Sequence, residues 1–259
     1  MTEIILNAIT TLEDYKLEPV IRNFRNVYTP EGPAARLISL DDKPTTCTMT
    51  YSEIYPDKTS SHHIHEWEHE VYIIKGSGTL ICDGKEYPVK AGDAMFIPPN
   101  VDHYTLNNGG EGVIRRIEVN PLIAAQSGGA QNDGGEGTGQ PPVIRHFSQL
   151  DDKTRSRILG PLDEVPNYLM LYNGPMAPGA ETGTTGGDSH PLGGHIHSWD
   201  HVAYILEGHA TLICDGEEYF VAEGDAVLIH GNVQHQWKNT SDLPMLRVTF
   251  NHLSSASHE

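Results

Sequence analysis

The chain has 259 residues, enough for one large or two ordinary domains, and 35 acidic side chains against 17 Lys and Arg give a formal charge of −18. That balance argues against nucleic acid and anionic membrane surfaces, which need clustered positive charge. With 26 Gly and 17 Pro, short strands joined by turns are favoured over helices.

The opening stretch MTEIILNAITTLEDYKLEP has no basic segment and no long apolar core, so no signal peptide is expected. No run of about 18 apolar residues follows, so no membrane span is expected either. Cys47, Cys82 and Cys214 lack the paired spacing of a disulfide framework. A reducing, cytoplasmic setting fits these features.

Further along, His63, His65, Trp67 and His69 share one parity, as one face of a strand requires. Residues 71–74 continue that strand, and residues 75–78 make a turn. Residues 79–82 form the next strand, and Asp83-Gly84 signals a type I′ hairpin. Residues 86–89 return, residues 91–93 turn, and residues 94–98 run on to Pro98-Pro99-Asn100. A short strand over residues 103–106 starts at His103. Strands this short, with turns every eight to twelve residues, indicate a sandwich or barrel. Residues 124–142, AAQSGGAQNDGGEGTGQPP, are too polar and Gly-rich to bury a core and read as a linker.

The pattern then recurs. His195, His197, His201 and His235 repeat His63, His65, His69 and His103 with an offset of 132, and 24 of the 41 positions in residues 63–103 are identical. TLICDGKEY returns as TLICDGEEY. Residues 5–14 (ILNAITTLED) loosely match residues 143–152 (VIRHFSQLDD). Two long copies mean two domains: 1–123, a linker over 124–142, and 143–259. The Gly-rich residues 179–194 have no counterpart of equal length and are expected to form an extra loop beside the second site. Single histidines are usually surface or core residues. Four at matched spacing, written twice, point to two metal sites, because imidazole is the commonest metal ligand.

These motifs resemble the cupin superfamily, specifically a two-domain bicupin. In the first cupin motif His63 and His65 supply the histidine pair, His69 stands where a Glu falls, and Gly76 closes it. Gly92, Pro98, His103 and Asn107 match the second motif, with Asn100 in a Gly place. The second copy offers His195, His197, His201 and Gly208, then Gly224, Asn232, His235 and Asn239, with His230 in the Pro place. The first motif's leading Gly is absent; Asp57 and Ser189 stand there. The resemblance implies an all-β chain of two tandem cupin β-barrel or jelly-roll domains. A Glu ligand could be recovered from Glu70, but Glu70 aligns with Val202, which cannot ligate, whereas His69 aligns with His201. Both sites are therefore expected to hold four histidines.

Four neutral imidazoles leave the full +2 of a divalent ion in place, making it a harder electrophile toward an anionic ligand. The resemblance favours Fe or Mn, one per domain, with Ni, Cu, Zn and Co as alternatives. A closed zinc site that only holds the barrel together is the bland reading, although structural zinc prefers thiolates. Trp67 and Trp199 are expected to pack in the core, with pocket wall as the alternative. Tyr72 and Tyr204 are expected between sheets or domains, and Cys82 and Cys214 in the core. Arg116 and Arg247 are expected at the surface or in ion pairs, with carboxylate binding as the alternative. His62, His190, His209, His230 and His252 are expected at the surface.

The leading expectation is a metal-dependent oxidoreductase of dioxygenase type, acting on a small anionic or enolisable substrate. Its alternatives are a redox-neutral isomerase, lyase or hydrolase and a non-catalytic binding module. The partner is a small molecule, neither nucleic acid nor membrane, and assembly into a homo-oligomer is left open. No catalytic acid or base follows from the motifs.

Overall fold

The computed structural model describes residues 17–32, 34–108, 110, 112–126, 137–150, 157–165, 167–183 and 193–253. Residues 5–14, the middle of the expected linker, Ser189, His190 and most of the second Gly-rich stretch lie outside these. In chain order the strands are β1 (Val20–Asn23), β2 (Ala35–Ile38), β3 (Cys47–Ile54), β4 (His69–Lys75), β5 (Ser77–Cys82) and β6 (Lys85–Lys90). Next come β7 (Asp93–Ile97), β8 (His103–Leu106), β9 (Ile114–Pro121), β10 (Val143–His146), β11 (Arg157–Leu159) and β12 (Tyr168–Met176). The last six are β13 (His201–Glu207), β14 (His209–Cys214), β15 (Glu217–Ala222), β16 (Asp225–Ile229), β17 (His235–Lys238) and β18 (Met245–His252). The described helices are single turns, and none is long and apolar enough to cross a membrane. The all-β expectation holds.

Each barrel closes a six-stranded sheet over a three-stranded one. The first uses β10-β7-β4-β9-β3-β2 with β6-β5-β8, the second β1-β16-β13-β18-β12-β11 with β15-β14-β17. Val71, Ile73, Leu80, Met95 and Ile114 fill the first barrel, and Ala203, Ile205, Leu212, Val227 and Trp237 the second. The opposite faces of the large sheets bury a third cluster together. Tyr72, Phe96 and Val119 meet Tyr204, Leu228 and Phe250 there. This is the alternation of strand faces at work: odd residues of β4 point into the barrel, while Tyr72 points to the other domain. Cys82 and Cys214 sit in the barrel cores, as expected.

The sheets do not divide the chain at the linker. β1 pairs antiparallel with β16 of the second barrel, and β10 pairs with β7 of the first. The registers match: Val20 faces Leu228, and Val143 faces the equivalent Phe96. Each barrel thus borrows an edge strand from the other half. The counterpart of VIRHF (residues 143–147) is VIRNF (residues 20–24), not residues 5–14. Two glycines make room for the exchange. A Cβ on Gly92 would stand 2.7 Å from the Phe147 ring, and one on Gly224 would stand 2.8 Å from Phe24. Arg22 then clasps Asp42 with two 2.9 Å hydrogen bonds, and Arg145 clasps the equivalent Asp163.

Turn chemistry explains where the chain departs from the motifs. Asp57, Asn100 and Asn232 take positive φ of 60°, 58° and 65° in the Gly places, a conformation Asn and Asp tolerate. Asp83-Gly84 and Asp215-Gly216 have positive φ at both residues, as a type I′ turn needs. The motif asparagines are structural: Asn107 donates to Ile54 and Gly112 carbonyls, and Asn239 to those of Met176 and Leu243.

Candidate metal centres

The strand expected over residues 63–69 is not straight. β4 begins only at His69. A straight strand would separate the Cα atoms of His65 and His69 by about 13 Å, yet their Nε2 atoms lie 2.6 Å apart. The chain bends between them so that three rings of one short segment converge. Its N-terminal end is pinned by a bridge in which the His63 amide donates to the His103 carbonyl at 3.2 Å and the reverse bond is 2.9 Å. The Asn100 amide holds the His65 carbonyl at 2.7 Å. The second copy repeats this: His195 and His235 exchange two 3.0 Å bonds, and the Asn232 amide reaches the His197 carbonyl at 2.6 Å.

The structure brings all eight expected histidines into two groups. His63, His65, His69 and His103 form one, and His195, His197, His201 and His235 the other, with the ligand atoms of each within 4.8 Å of one another. Neighbouring groups fix the ring orientations. His65 Nδ1–H donates to the Trp67 carbonyl at 2.7 Å, His103 Nδ1–H to Val101 at 2.7 Å, and His235 Nδ1–H to Val233 at 2.8 Å. Each leaves Nε2 as a lone pair aimed at the shared centre, the arrangement seen behind metal-bound imidazoles. Among the described residues the Nε2 atoms of His103 and His235 have no hydrogen-bond partner. Burial favours the neutral rings a cation needs: it pushes His65 and His197 down to about 4, and His103 and His235 to about 3. Converging neutral donors with orphaned lone pairs fit a divalent ion. Glu70 belongs to neither group; it points into the interdomain core.

The cupin-domain family model matches the chain twice, over residues 50–119 and 180–250. The chain belongs to the cupin family. Salicylate 1,2-dioxygenase from Pseudoaminobacter salicylatoxidans, in an adduct with gentisate, superposes with a TM-score of 0.67 at 12% identity, covering 98% of this chain and 86% of that one. Ylba from E. coli gives 0.67 at 14% identity over 95% and 96%. AerE from Microcystis aeruginosa gives 0.62 at 14% over 91% and 98%. These likenesses establish a shared bicupin fold. An uncharacterised protein of Methanocaldococcus jannaschii is 36% identical over 52 residues, which are 20% of this chain and 42% of that protein.

The two cupin sites differ behind their ligands. In the first, His69 Nδ1 lies 3.6 Å from the Glu118 carboxylate, which Arg116 pairs at 3.3 Å. Burial would raise the Glu118 carboxyl, but the His69 ring and the Arg116 guanidinium outweigh it and hold it well below the usual range. In the second, His201 Nδ1 donates to the Asn251 amide oxygen at 2.7 Å. Trp67 and Trp199 are not in the core clusters. Their indoles stack on His65 and His197 at 4.3 and 4.2 Å, nearly parallel, and Trp67 also walls a cavity. Arg116 and Arg247 are both buried, so the surface expectation fails for them, while the ion-pair expectation holds for Arg116. Of the other histidines, His62 pairs with Asp102 and His252 is exposed, but His209 and His230 are half-buried.

A cavity of about 190 Å³ adjoins the first group, lined by His63, His65, His69, Trp67, Thr48 and Arg36 among others. A second, of about 470 Å³, shares Arg36, Thr50, His63 and Glu118 with it. Glu118, Asn251 and Arg36 carry no motif. Their only sequence signal is polar residues at alternate positions in strands that otherwise read as core, visible once β9, β18 and β2 are placed.

Proposed function

We propose that the chain is a metal-dependent oxidoreductase of dioxygenase type that takes a small anionic or enolisable substrate in its first barrel. The observation carrying this is the cavity where three converging histidines meet Arg36, Thr48 and Thr50. In this reading His63, His65, His69 and His103 hold one divalent ion, and His195, His197, His201 and His235 hold another, Fe or Mn in preference to Ni, Cu, Zn or Co. Such an ion, when bound, would supply Lewis acidity and a path for electrons from the substrate to O₂. The protein supplies the rest. Arg36, exposed in the cavity wall, takes the substrate carboxylate. Thr48 and Thr50 offer hydroxyls to its oxygens, and the Trp67 indole gives a flat wall. Glu118 is held ionised too firmly to be a good base, so it orients His69 and raises its donor strength. The dioxygenase neighbour supports this reading at the level of fold.

Oxygen uptake by Fe- and Mn-loaded protein, measured against a panel of small carboxylic and enolisable acids, tests the proposal. Uptake should match product formation, with both oxygen atoms in the product. Arg36→Gln should raise KM about tenfold or more with little change in kcat. Product formed without oxygen uptake would instead establish the redox-neutral reading. No turnover, with ions that are four-coordinate and carry no water, would leave a structural or binding role.

A further inference from the structure

Arg116 and Arg247 are structural equivalents. Arg116 faces Ile73 on β4 and Ser52 on β3; Arg247 faces the matching Ile205 on β13 and Asn173 on β12. In the first barrel the guanidinium has two partners, donating to Ser52 at 3.0 Å and pairing with the Glu118 carboxylate. The second barrel lacks both partners. Thr249 stands in the place of Glu118, and its hydroxyl donates to the Asn173 amide oxygen at 2.6 Å, occupying the residue that replaces Ser52. Among the described residues Arg247 has no carboxylate and no hydrogen-bond acceptor. It rests 4.6 Å over the Trp237 ring, inside the barrel, two residues along β17 from His235. Only 9% of it is exposed. A buried cation with no counter-charge is costly, and a bound anion relieves that cost.

We propose that the second barrel contains an anion site, in which Arg247, beside the His195–His235 group, takes the carboxylate of a small monoanion. The site is separate from the cavity at Arg36 and goes beyond the oxidation proposed there. The first barrel needs no such ligand next to Arg116, because Glu118 is already in that place.

The test is calorimetric titration with formate of the full-length, metal-loaded chain carrying Arg36→Gln to silence the first cavity. Metal content is measured alongside, so failure of the four-histidine reading shows separately, and binding is read without turnover. One formate per chain should bind in a way that depends on Arg247, apart from any formate held by the ions themselves. Thr249→Glu restores the internal carboxylate of the first barrel and should weaken formate at least tenfold, while Thr249→Gln, equal in size but neutral, stays within about threefold. Arg247→Met should weaken it at least tenfold. The proposal is overturned if no formate binds, if Thr249→Gln acts like Thr249→Glu, or if binding is untouched in Thr249→Glu and in Arg247→Met. Should one of these variants fail to fold, the other decides.

Discussion

Behind His69 stands a carboxylate, Glu118; behind the equivalent His201 stands an amide, Asn251. Beside the first group the Arg116 charge is cancelled; beside the second, among the described residues, the Arg247 charge is not. The two groups are therefore alike in donors and unlike in field. The likeness comes from residues 63–103 and 195–235, where backbone bridges and turns fix the rings. The difference comes from β9 and β18, which supply the residues behind them. Duplication has kept the geometry that can hold an ion, while one strand per barrel supplies different charges and dipoles behind it.

The sharpest way to separate the copies is to remove one ligand at a time. His69→Ala and His201→Ala should each cut the bound metal from two ions per chain to one, read by elemental analysis after dialysis. If either variant keeps both ions at full occupancy, the four-histidine reading of that site fails. The next effect is smaller and asymmetric. Glu118→Gln should lower metal affinity at the first site roughly 10- to 100-fold, the usual cost of losing a carboxylate behind an imidazole. Asn251→Asp should raise affinity at the second site, because its His201 bond is already short at 2.7 Å. Competition with a chelator measures both.

Much of this was legible in the repeat. The eight histidines, the hairpins at Asp83 and Asp215, the core cysteines and the interdomain tyrosines all follow from spacing and parity. The residues behind the ligands were not, for a physical reason. The offset is 132 through His103 and His235 but 131 at Arg116 and Arg247, because the connections into β9 and β18 differ in length. An ungapped comparison loses register there, and on a strand one residue exchanges the two faces. The exchanged β1 was hidden likewise: it pairs with residues 202 to 208 positions away, and no local pattern reports which barrel an edge strand joins.

A third contrast lies at position 70. Glu70 is fully buried where the second copy has Val202, in the interdomain core beside Tyr168. Among the described residues its carboxyl oxygens have no hydrogen-bond partner, although Tyr168 is close enough to perturb it. Burial first, and then Glu68, push its pKa well above the usual range. The folded chain therefore holds a proton that the unfolded chain releases above about pH 4.5, so this residue costs stability increasingly as pH rises past that value. Glu70→Val should stabilise the protein by about 1–3 kcal/mol at neutral pH. The gain should shrink toward pH 4, as denaturant melts across pH would show. A gain independent of pH would mean that the carboxyl is ionised in the fold, or that the effect is one of packing alone.

The smallest expected effect tests the likeness rather than the difference. Arg22–Asp42 and Arg145–Asp163 are equivalent clasps on the exchanged strands, and both arginines are partly exposed, 29% and 42% of their side chains. Partly exposed ion pairs contribute up to about 1 kcal/mol, somewhat more when bidentate. Arg22→Met and Arg145→Met should each lose about that much, by similar amounts, and the double variant should lose the sum. Because each clasp ties a strand lying in one barrel's sheet to the turn after an edge strand of the other barrel, Asp42 after β2 and Asp163 after β11, either loss should lower a single cooperative transition. Two transitions, with each variant moving only one, would show that the barrels unfold independently despite exchanging their edges.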